Sequence, residues 1–217
     1  MNLICPLCSG DNTSHYYRHT TNKTPARDFY QCSRCQLVFV DPDQRLSARE
    51  EKAEYDFHQN SVNDSAYRKF LSRIQLPLQE RIKPSSHGLD FGCGPGPALS
   101  VMLAEQGYKM SVYDIFYYDD RTVLERHYDF VTATEVAEHL FDPGEVLQQL
   151  WSLLNSGGVL ALMTKRVIDQ RAFANWHYKN DATHVCFFSC STFEWIAEQW
   201  NAKLEFVGQD VVFITKT

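Results

Sequence analysis

The stretch that decides the fold is Leu89–Gly96, which reads LDFGCGPG. Its apolar first half predicts a buried β-strand, and its second half predicts a glycine-dense turn that leads into a helix ending at residue 106. A carboxylate, Asp114, follows about twenty residues later, after a second apolar run at Lys109–Tyr113. This spacing is typical of the edge of a doubly wound α/β sheet that binds a nucleoside.

The turn argues against a pyrophosphate ligand. Pro95 and Pro97 remove two backbone N–H donors that a phosphate would need. The glycine spacing is G-x-G-x-G, and no Gly-Lys-Ser/Thr sequence follows it, so the chain has no P-loop. The carboxylates Asp90, Asp114 and Glu135 are instead expected around the site, and they attract a ligand that carries a sulfonium and an ammonium group. The sequence therefore predicts S-adenosylmethionine as the cofactor.

Four motifs occur in the order found in class I S-adenosylmethionine-dependent methyltransferases: Leu89–Gly96, Asp114, Tyr128–Leu140 and Leu154–Leu160. From about residue 84 onward, the chain therefore resembles this family. The resemblance implies a Rossmann-like, doubly wound, mostly parallel sheet that ends in an antiparallel hairpin, here Lys203–Val207 and Val211–Thr215. It also implies that the cofactor is bound by Asp90, Gly92, Cys93, Gly94, Gly96, Asp114, Thr134 and Glu135.

One interval is shorter than the family pattern. About fifteen residues separate Asp114 from Asp129, where a helix, a strand and a second helix need roughly twice as many. We therefore expect a shortened third strand, with 122–124 as its remnant. Phe116, Tyr117 or Tyr118 would then contact the adenine ring, unless these aromatic side chains only pack or lie at the surface. The remaining elements are predicted as strands at 129–134 and 159–164, and helices at 143–154 and 192–200.

Residues 1–45 are predicted to form a small zinc-ribbon-like module. Two C-x2-C pairs, with Cys5 and Cys8 in the first and Cys32 and Cys35 in the second, provide four thiolates with the spacing of a tetrahedral zinc site. Iron in a rubredoxin-like site and two disulfides are the alternatives. The pattern also resembles the zinc-binding leader of some bacterial small-molecule methyltransferases. Because so short a module buries little apolar surface, bound metal would supply much of its folding free energy.

Residues 46–83 are charged and have helical spacing, which predicts a helical linker or lid that ends at Pro84. In the family that the chain resembles, helices at this position often cover the cofactor. Tyr55 or Tyr67 would then contact the substrate, and packing on the core is the alternative role. The methyltransferase domain is assigned to 84–217.

Candidate catalytic groups follow the fourth and fifth strands of the family pattern. His184 and His177 are candidate general bases because imidazole titrates near neutral pH, and Tyr178 is a candidate wall of the acceptor pocket. Glu135, Glu138, His139 and His184 together resemble the divalent-metal site of small-RNA 2′-O-methyltransferases and ubiquinone-pathway O-methyltransferases. In metal-free relatives the same Glu-His-Leu sequence occurs, and its histidine packs or forms a hydrogen bond.

Composition favours a small-molecule acceptor. The chain has 27 acidic against 21 basic residues and a pI near 5.7, without the basic excess of proteins that bind nucleic acid. No apolar run is long enough to span a membrane, and the cysteine usage indicates a reducing, cytoplasmic location. An RNA methyltransferase and an inactive scaffold that binds a partner through its zinc module are the alternatives. The sequence carries no signal for an oligomeric state.

Overall fold

A computed structural model describes residues 3–20, 26–57 and 61–217. The chain forms ten strands and six α-helices in these residues. The strands are β1 Thr13–His19, β2 Arg27–Cys32, β3 Val38–Val40, β4 His87–Phe91, β5 Lys109–Tyr113, β6 Tyr128–Thr134, β7 Leu154–Met163, β8 Cys186–Phe187, β9 Lys203–Val207 and β10 Val211–Thr215. The helices are α1 Ala48–Tyr55, α2 Ser65–Gln79, α3 Ala98–Ala104, α4 Pro143–Ser152, α5 Gln170–Ala174 and α6 Cys190–Gln199.

The large sheet has the order β5-β4-β6-β7-β10-β9. Strands β4 to β7 pair in parallel, whereas β10 pairs antiparallel with both β7 and β9. The predicted doubly wound, mostly parallel sheet and its terminal hairpin are thus confirmed. In this topology the carboxyl ends of β4, β5, β6 and β7 meet at one edge, which is where such sheets bind ligands.

The third strand of the family pattern is absent between β5 and β6. A short 3-10 helix, Arg121–Glu125, occupies the interval instead, so β5 is the edge strand. Val123 is buried, and its carbonyl accepts a 2.7 Å hydrogen bond from the hydroxyl of Tyr128. The predicted shortening is confirmed, but the remnant at 122–124 is helical because the interval is too short for a parallel crossover.

The sheet is buried on both faces, and the side chains of its central strands β7 and β10 alternate between two apolar clusters. In β7, Val159, Ala161 and Met163 pack against α2 and α3, whereas Leu160 and Leu162 face the larger cluster around α4 and α6. This two-residue alternation is the geometry of a pleated strand. Strand β7 begins earlier than predicted, at Leu154, and α4 ends at Ser152.

The small sheet joins the N-terminal module to the rest of the molecule. Its order is β1-β2-β3-β8, and β8 comes from the C-terminal half of the chain. Val38 pairs with Phe187 and Phe39 with Cys186, and all four residues belong to the larger apolar cluster. The module therefore shares a core with the large sheet. The domain boundaries at residues 45 and 83 stay predictions.

The linker consists of two helices. Ser47 and Glu50 form a capping box at the start of α1, and Asp64 caps α2. Leu71 and Ile74 lie in the buried stripe of α2, whereas Phe57, which follows α1, is 80% exposed. The helix ends at Gln79, before the predicted limit at Pro84. None of the helices described is long and apolar enough to cross a membrane.

Candidate active site

The turn after β4 needs glycine for two different reasons. Gly92 has φ +68°, and a Cβ there would lie 2.5 Å from Cγ2 of Val136. Gly94 has φ +65°, but a Cβ there would meet nothing within 4 Å. The backbone at Gly92 is thus packed against the loop that follows β6, whereas the surface over Gly94 is open.

Asp114 connects this turn to the end of β5. Its Oδ2 accepts a 2.9 Å hydrogen bond from the backbone N–H of Gly94. Its Oδ1 accepts from the N–H groups of Phe116 at 2.9 Å and Tyr117 at 3.2 Å. Each carboxylate oxygen has two lone pairs, so the group retains acceptor capacity for ribose hydroxyls.

Asp90 lies beneath the turn and is only 2% exposed. It accepts a 2.8 Å hydrogen bond from the hydroxyl of Thr132 in β6 and another from the backbone N–H of Ser100 in α3. Burial raises the pKa of Asp90 to about 6, and the nearby Asp114 adds to the shift. Asp90 therefore joins β4, β6 and α3 below the open surface. Thr132 was not predicted, and its signal was a single hydroxyl in the otherwise apolar run FVTA.

Cys93 and Gly96 form the rest of the turn. Cys93 is half-buried, and burial together with Asp90 and Asp114 raises the pKa of its thiol. The carbonyl of Gly96 accepts a 2.7 Å hydrogen bond from the N–H of Ala98, which starts α3. Both residues therefore shape the turn between β4 and the helix.

Glu135 follows Thr134, the last residue of β6, in a left-handed backbone conformation with φ +52°. This conformation is unfavourable for a residue with a side chain and is held here by a 2.8 Å hydrogen bond from its N–H to the carbonyl of Met163. Its Oε1 is buried without a hydrogen-bond partner in the described part of the chain. Burial, and then the neighbouring Glu138, raises the pKa of Glu135 to about 8.

A second cluster lies beside Glu135. The ligand atoms of Glu138, His139 and His184 lie within 4.8 Å of one another. Glu138 is fully buried, so its pKa is raised by burial. Its Oε1 accepts a hydrogen bond from the hydroxyl of Tyr178, while its Oε2 has no hydrogen-bond partner among the residues described. Glu135 is not a member of this set, contrary to the four-residue set predicted from the sequence.

Both imidazoles of the cluster are oriented by backbone carbonyls. Nδ1 of His139 donates to the carbonyl of Thr183 at 3.2 Å, and Nδ1 of His184 donates to the carbonyl of Tyr178 at 2.7 Å. The two rings are edge-to-face, with centroids 4.7 Å apart. Burial, with His139 beside it, lowers the pKa of His184. Since Nδ1 carries the proton in each ring, Nε2 carries the lone pair.

The structure brings two of the three predicted catalytic residues, Tyr178 and His184, together and places His177 apart from them. His184 is 8% exposed and belongs to the cluster. Tyr178 is also buried, and its ring stacks on Trp176 at 4.8 Å. His177 is exposed on the 3-10 helix His177–Asn180 and makes none of the contacts that define the cluster.

Helix α1 lies over both halves of the site. The ring of Tyr55 is 5.8 Å from that of Phe116 and 5.4 Å from that of His139. The hydroxyl of Tyr117 donates a 2.7 Å hydrogen bond to Asp56 at the end of α1. Burial raises the pKa of Tyr67 in α2 to about 12, and the charges of Asp90 and Glu135 add to the shift. The two linker helices thus reach the site, and their role as a lid stays a prediction. Asp56 had no sequence signal.

The four predicted cysteine ligands come together at the end of β2. Sγ of Cys5 is 3.5 Å from Sγ of Cys35, and Sγ of Cys8 is 3.5 Å from Sγ of Cys32. Tetrahedral zinc thiolates at about 2.3 Å from the metal would place the sulfurs about 3.8 Å apart. All four sulfurs lie within 4.8 Å of one another, and the cysteines pair across the two knuckles. This donor set fits a zinc ion.

The fold and the glycine turn at the carboxyl edge of the sheet are those of doubly wound α/β proteins, which bind nucleotide-type ligands at this edge. A family model described as a methyltransferase domain matches residues 58–205. The chain belongs to this methyltransferase-domain family, which confirms the enzyme class predicted from its motifs. No curated protein matches the sequence.

Solved structures of methyltransferases share the fold. A SAM-dependent methyltransferase from Archaeoglobus fulgidus is 19% identical, with a TM-score of 0.53 over 69% of this chain and 94% of that one. The 1,6-didemethyltoxoflavin-N1-methyltransferase from Burkholderia thailandensis is 14% identical, with a TM-score of 0.53 over 92% of this chain and 99% of that one. That structure contains S-adenosylhomocysteine and 1,6-didemethyltoxoflavin. At these identities the likeness is one of fold.

Proposed function

We propose that the protein transfers a methyl group from S-adenosylmethionine to a small-molecule acceptor. The observation that carries this proposal is the hydrogen bond from Gly94 to Asp114, which places an open glycine turn beside a buried carboxylate at the carboxyl edge of the sheet. The two solved structures described above support it, because one is a SAM-dependent methyltransferase and the other acts on a small heterocycle.

The residues present fit the cofactor. Asp114 has acceptor capacity for the ribose hydroxyls, and the turn over Gly94 is open. Glu135 offers a buried carboxylate oxygen without a partner in the described residues, which suits the ammonium group of the methionine part. Phe116 and Tyr117 begin the turn after Asp114 and are the candidates to contact adenine. The cofactor supplies an electrophilic methyl group on a sulfonium.

The protein's own residues position the acceptor and take up its proton. Methyl transfer is an in-line displacement, so most of the acceleration comes from holding the acceptor atom in line with the methyl group. The ring of Tyr55 contacts the rings of Phe116 and His139 and covers this part of the site. When no cation occupies the cluster, we assign His184 as the general base, because its Nδ1 donates to the backbone carbonyl of Tyr178 and leaves the lone pair at Nε2. Tyr178 itself holds Glu138 in place.

The experiment that tests this proposal is calorimetric titration of the zinc-loaded protein with S-adenosylmethionine and S-adenosylhomocysteine. Saturable binding of both at one site per chain is the expected result. If the protein binds neither ligand, the proposal is refuted. With binding established, transfer of labelled methyl to pools of small metabolites, with RNA pools as the comparison, would identify the acceptor class.

Two metal sites complete the proposal. We assign one zinc ion to Cys5, Cys8, Cys32 and Cys35, as a structural site at the end of the small sheet.

A second candidate is a divalent cation at Glu138, His139 and His184. It is favoured by the unpartnered Oε2 of Glu138 and by the two carbonyl-oriented imidazoles, an arrangement common among metal-ligating histidines. There, a cation would acidify an acceptor hydroxyl. Metal analysis that finds two metals per chain, falling to one in Glu138→Gln, would support it; one metal in both proteins would exclude it.

A further inference from the structure

Arg27 is the first residue of β2, and its guanidinium contacts one distant segment of the chain. Nη1 donates to the carbonyls of Lys179 at 3.2 Å and Asp181 at 2.7 Å. Nη2 donates to the carbonyls of Ala182 at 3.4 Å and His184 at 2.7 Å. A planar guanidinium can satisfy several carbonyls at once, which a lysine ammonium cannot do with the same geometry.

The segment that Arg27 binds, residues 179–184, contains one histidine of the active-site pair and is hydrogen-bonded to the other. His184 belongs to it, and the carbonyl of Thr183 receives the hydrogen bond from Nδ1 of His139. Asp181 stabilises the turn by accepting hydrogen bonds from the backbone N–H and hydroxyl of Thr183. Four of the segment's backbone carbonyls therefore bind Arg27, and a fifth orients an active-site imidazole.

The end of this segment is fixed between the N-terminal module and the loop that follows β6. The N–H of Val40 donates to the carbonyl of Val185 at 2.9 Å. The N–H of Val185 donates to the carbonyl of Glu138 at 2.8 Å. Strand β2 itself ends at Cys32, one of the four clustered cysteines. A continuous path of strand and hydrogen bonds thus joins the cysteine cluster to Glu138 and His184.

We propose that Arg27 is a positioning residue of the active site, which fixes the 179–184 segment and thereby the orientation of the His139 and His184 rings. The N-terminal module then supports the active site through Arg27 as well as through the β3–β8 pairing. Burial lowers the pKa of Arg27 to about 10, so it stays charged at neutral pH and its hydrogen bonds are charge-assisted. This inference rests on the proposed function only in giving the two histidines a role in methyl transfer.

The test is NMR of the imidazole nitrogens and of amide hydrogen exchange in the full, zinc-loaded chain. In the wild type we expect the proton of both rings on Nδ1. In Arg27→Ala we expect the proton to redistribute between Nδ1 and Nε2 in both rings, and the Val185 amide to exchange at least tenfold faster. Arg27→Lys should give an intermediate result. The matched control is Arg18→Ala, in the same hairpin, whose guanidinium bonds only to Asp28 in the contacts described, and it should leave both signals unchanged.

Unchanged imidazole signals and unchanged Val185 exchange in a folded Arg27→Ala protein would overturn the proposal. If Arg27→Ala does not fold, Arg27→Lys decides. Equal acceleration of all core amides with unchanged imidazole signals would then assign Arg27 a general role in stability and overturn its positioning role. Calorimetry with S-adenosylhomocysteine distinguishes failure of one proposal from failure of the other. If the wild type does not bind this ligand, the proposed function is refuted, but the result on Arg27 still stands.

Discussion

The backbone N–H of Gly94 and Oδ2 of Asp114 are joined by a 2.9 Å hydrogen bond, although the residues belong to different loops after different strands. This bond fixes the distance between the open glycine turn and the carboxylate that is available to ribose. Both ends of the bond lie at the edge where parallel strands end. The geometry of the proposed cofactor site is therefore held by a hydrogen bond within the chain.

Asp114→Asn should weaken S-adenosylhomocysteine binding by roughly 10- to 100-fold, because charged hydrogen bonds contribute about 1.5–3 kcal/mol. Calorimetric titration measures the change. Asp119→Asn is the matched control, since Asp119 is an exposed carboxylate five residues further along the chain, and its variant should bind like the wild type. Equal affinity of Asp114→Asn and the wild type would contradict the assignment.

Binding of the cofactor should also depend on pH through Glu135. Its pKa of about 8 means that the carboxyl is largely protonated at pH 7, whereas an ammonium ligand needs the carboxylate. Affinity for S-adenosylhomocysteine should therefore fall about tenfold from pH 9 to pH 7, with uptake of the ligand releasing a proton near pH 7. Titrations in buffers of different ionisation enthalpy would measure the proton release. Glu135→Gln should remove it, and proton release that persists in this variant would assign it to another group.

The sequence predicted the elements that depend on local pattern. The strand at 109–113 and the hairpin at 203–207 and 211–215 have the predicted bounds because each alternates or runs apolar between clear turn signals. The four cysteines also cluster as their spacing predicted, since the two short C-x2-C pairs each form a knuckle.

The long-range contacts could not be predicted from the sequence. Nothing local indicates that β8 pairs with β3, because that strand has only two residues and its partner is more than a hundred residues away. The same holds for Arg27, whose acceptors are all backbone carbonyls without a side-chain pattern. The left-handed backbone at Glu135 also could not be predicted, because residue type alone disfavours it.

Gly92→Ala should destabilise the fold more than an alanine at another left-handed glycine. Its Cβ would collide with Val136 in addition to straining the backbone, whereas Gly107, with φ +88°, has open space around it. We expect a loss of about 1 kcal/mol in the free energy of unfolding for Gly107→Ala and about 2–4 kcal/mol for Gly92→Ala. Urea unfolding measures both. Val136→Ala should recover part of the loss in the Gly92→Ala background, and strictly additive effects would show that the collision is not the cause.

Removing one thiolate should test the zinc site and its structural role together. Cys32→Ser replaces a fully buried ligand at the end of β2, so the bound metal should fall from one zinc per chain to well below one. Because β2 also carries Arg27, the loss should loosen the small sheet and accelerate exchange of the Val185 amide, while the N–H groups of β6 and β7 stay protected. Metal analysis and hydrogen exchange measure the two effects.

Cys190→Ser is the matched control, since that cysteine is exposed and outside the cluster, and it should retain full metal content. A wild-type protein without bound metal would contradict the site, and retained exchange protection in metal-free Cys32→Ser would show that the metal does not support the segment.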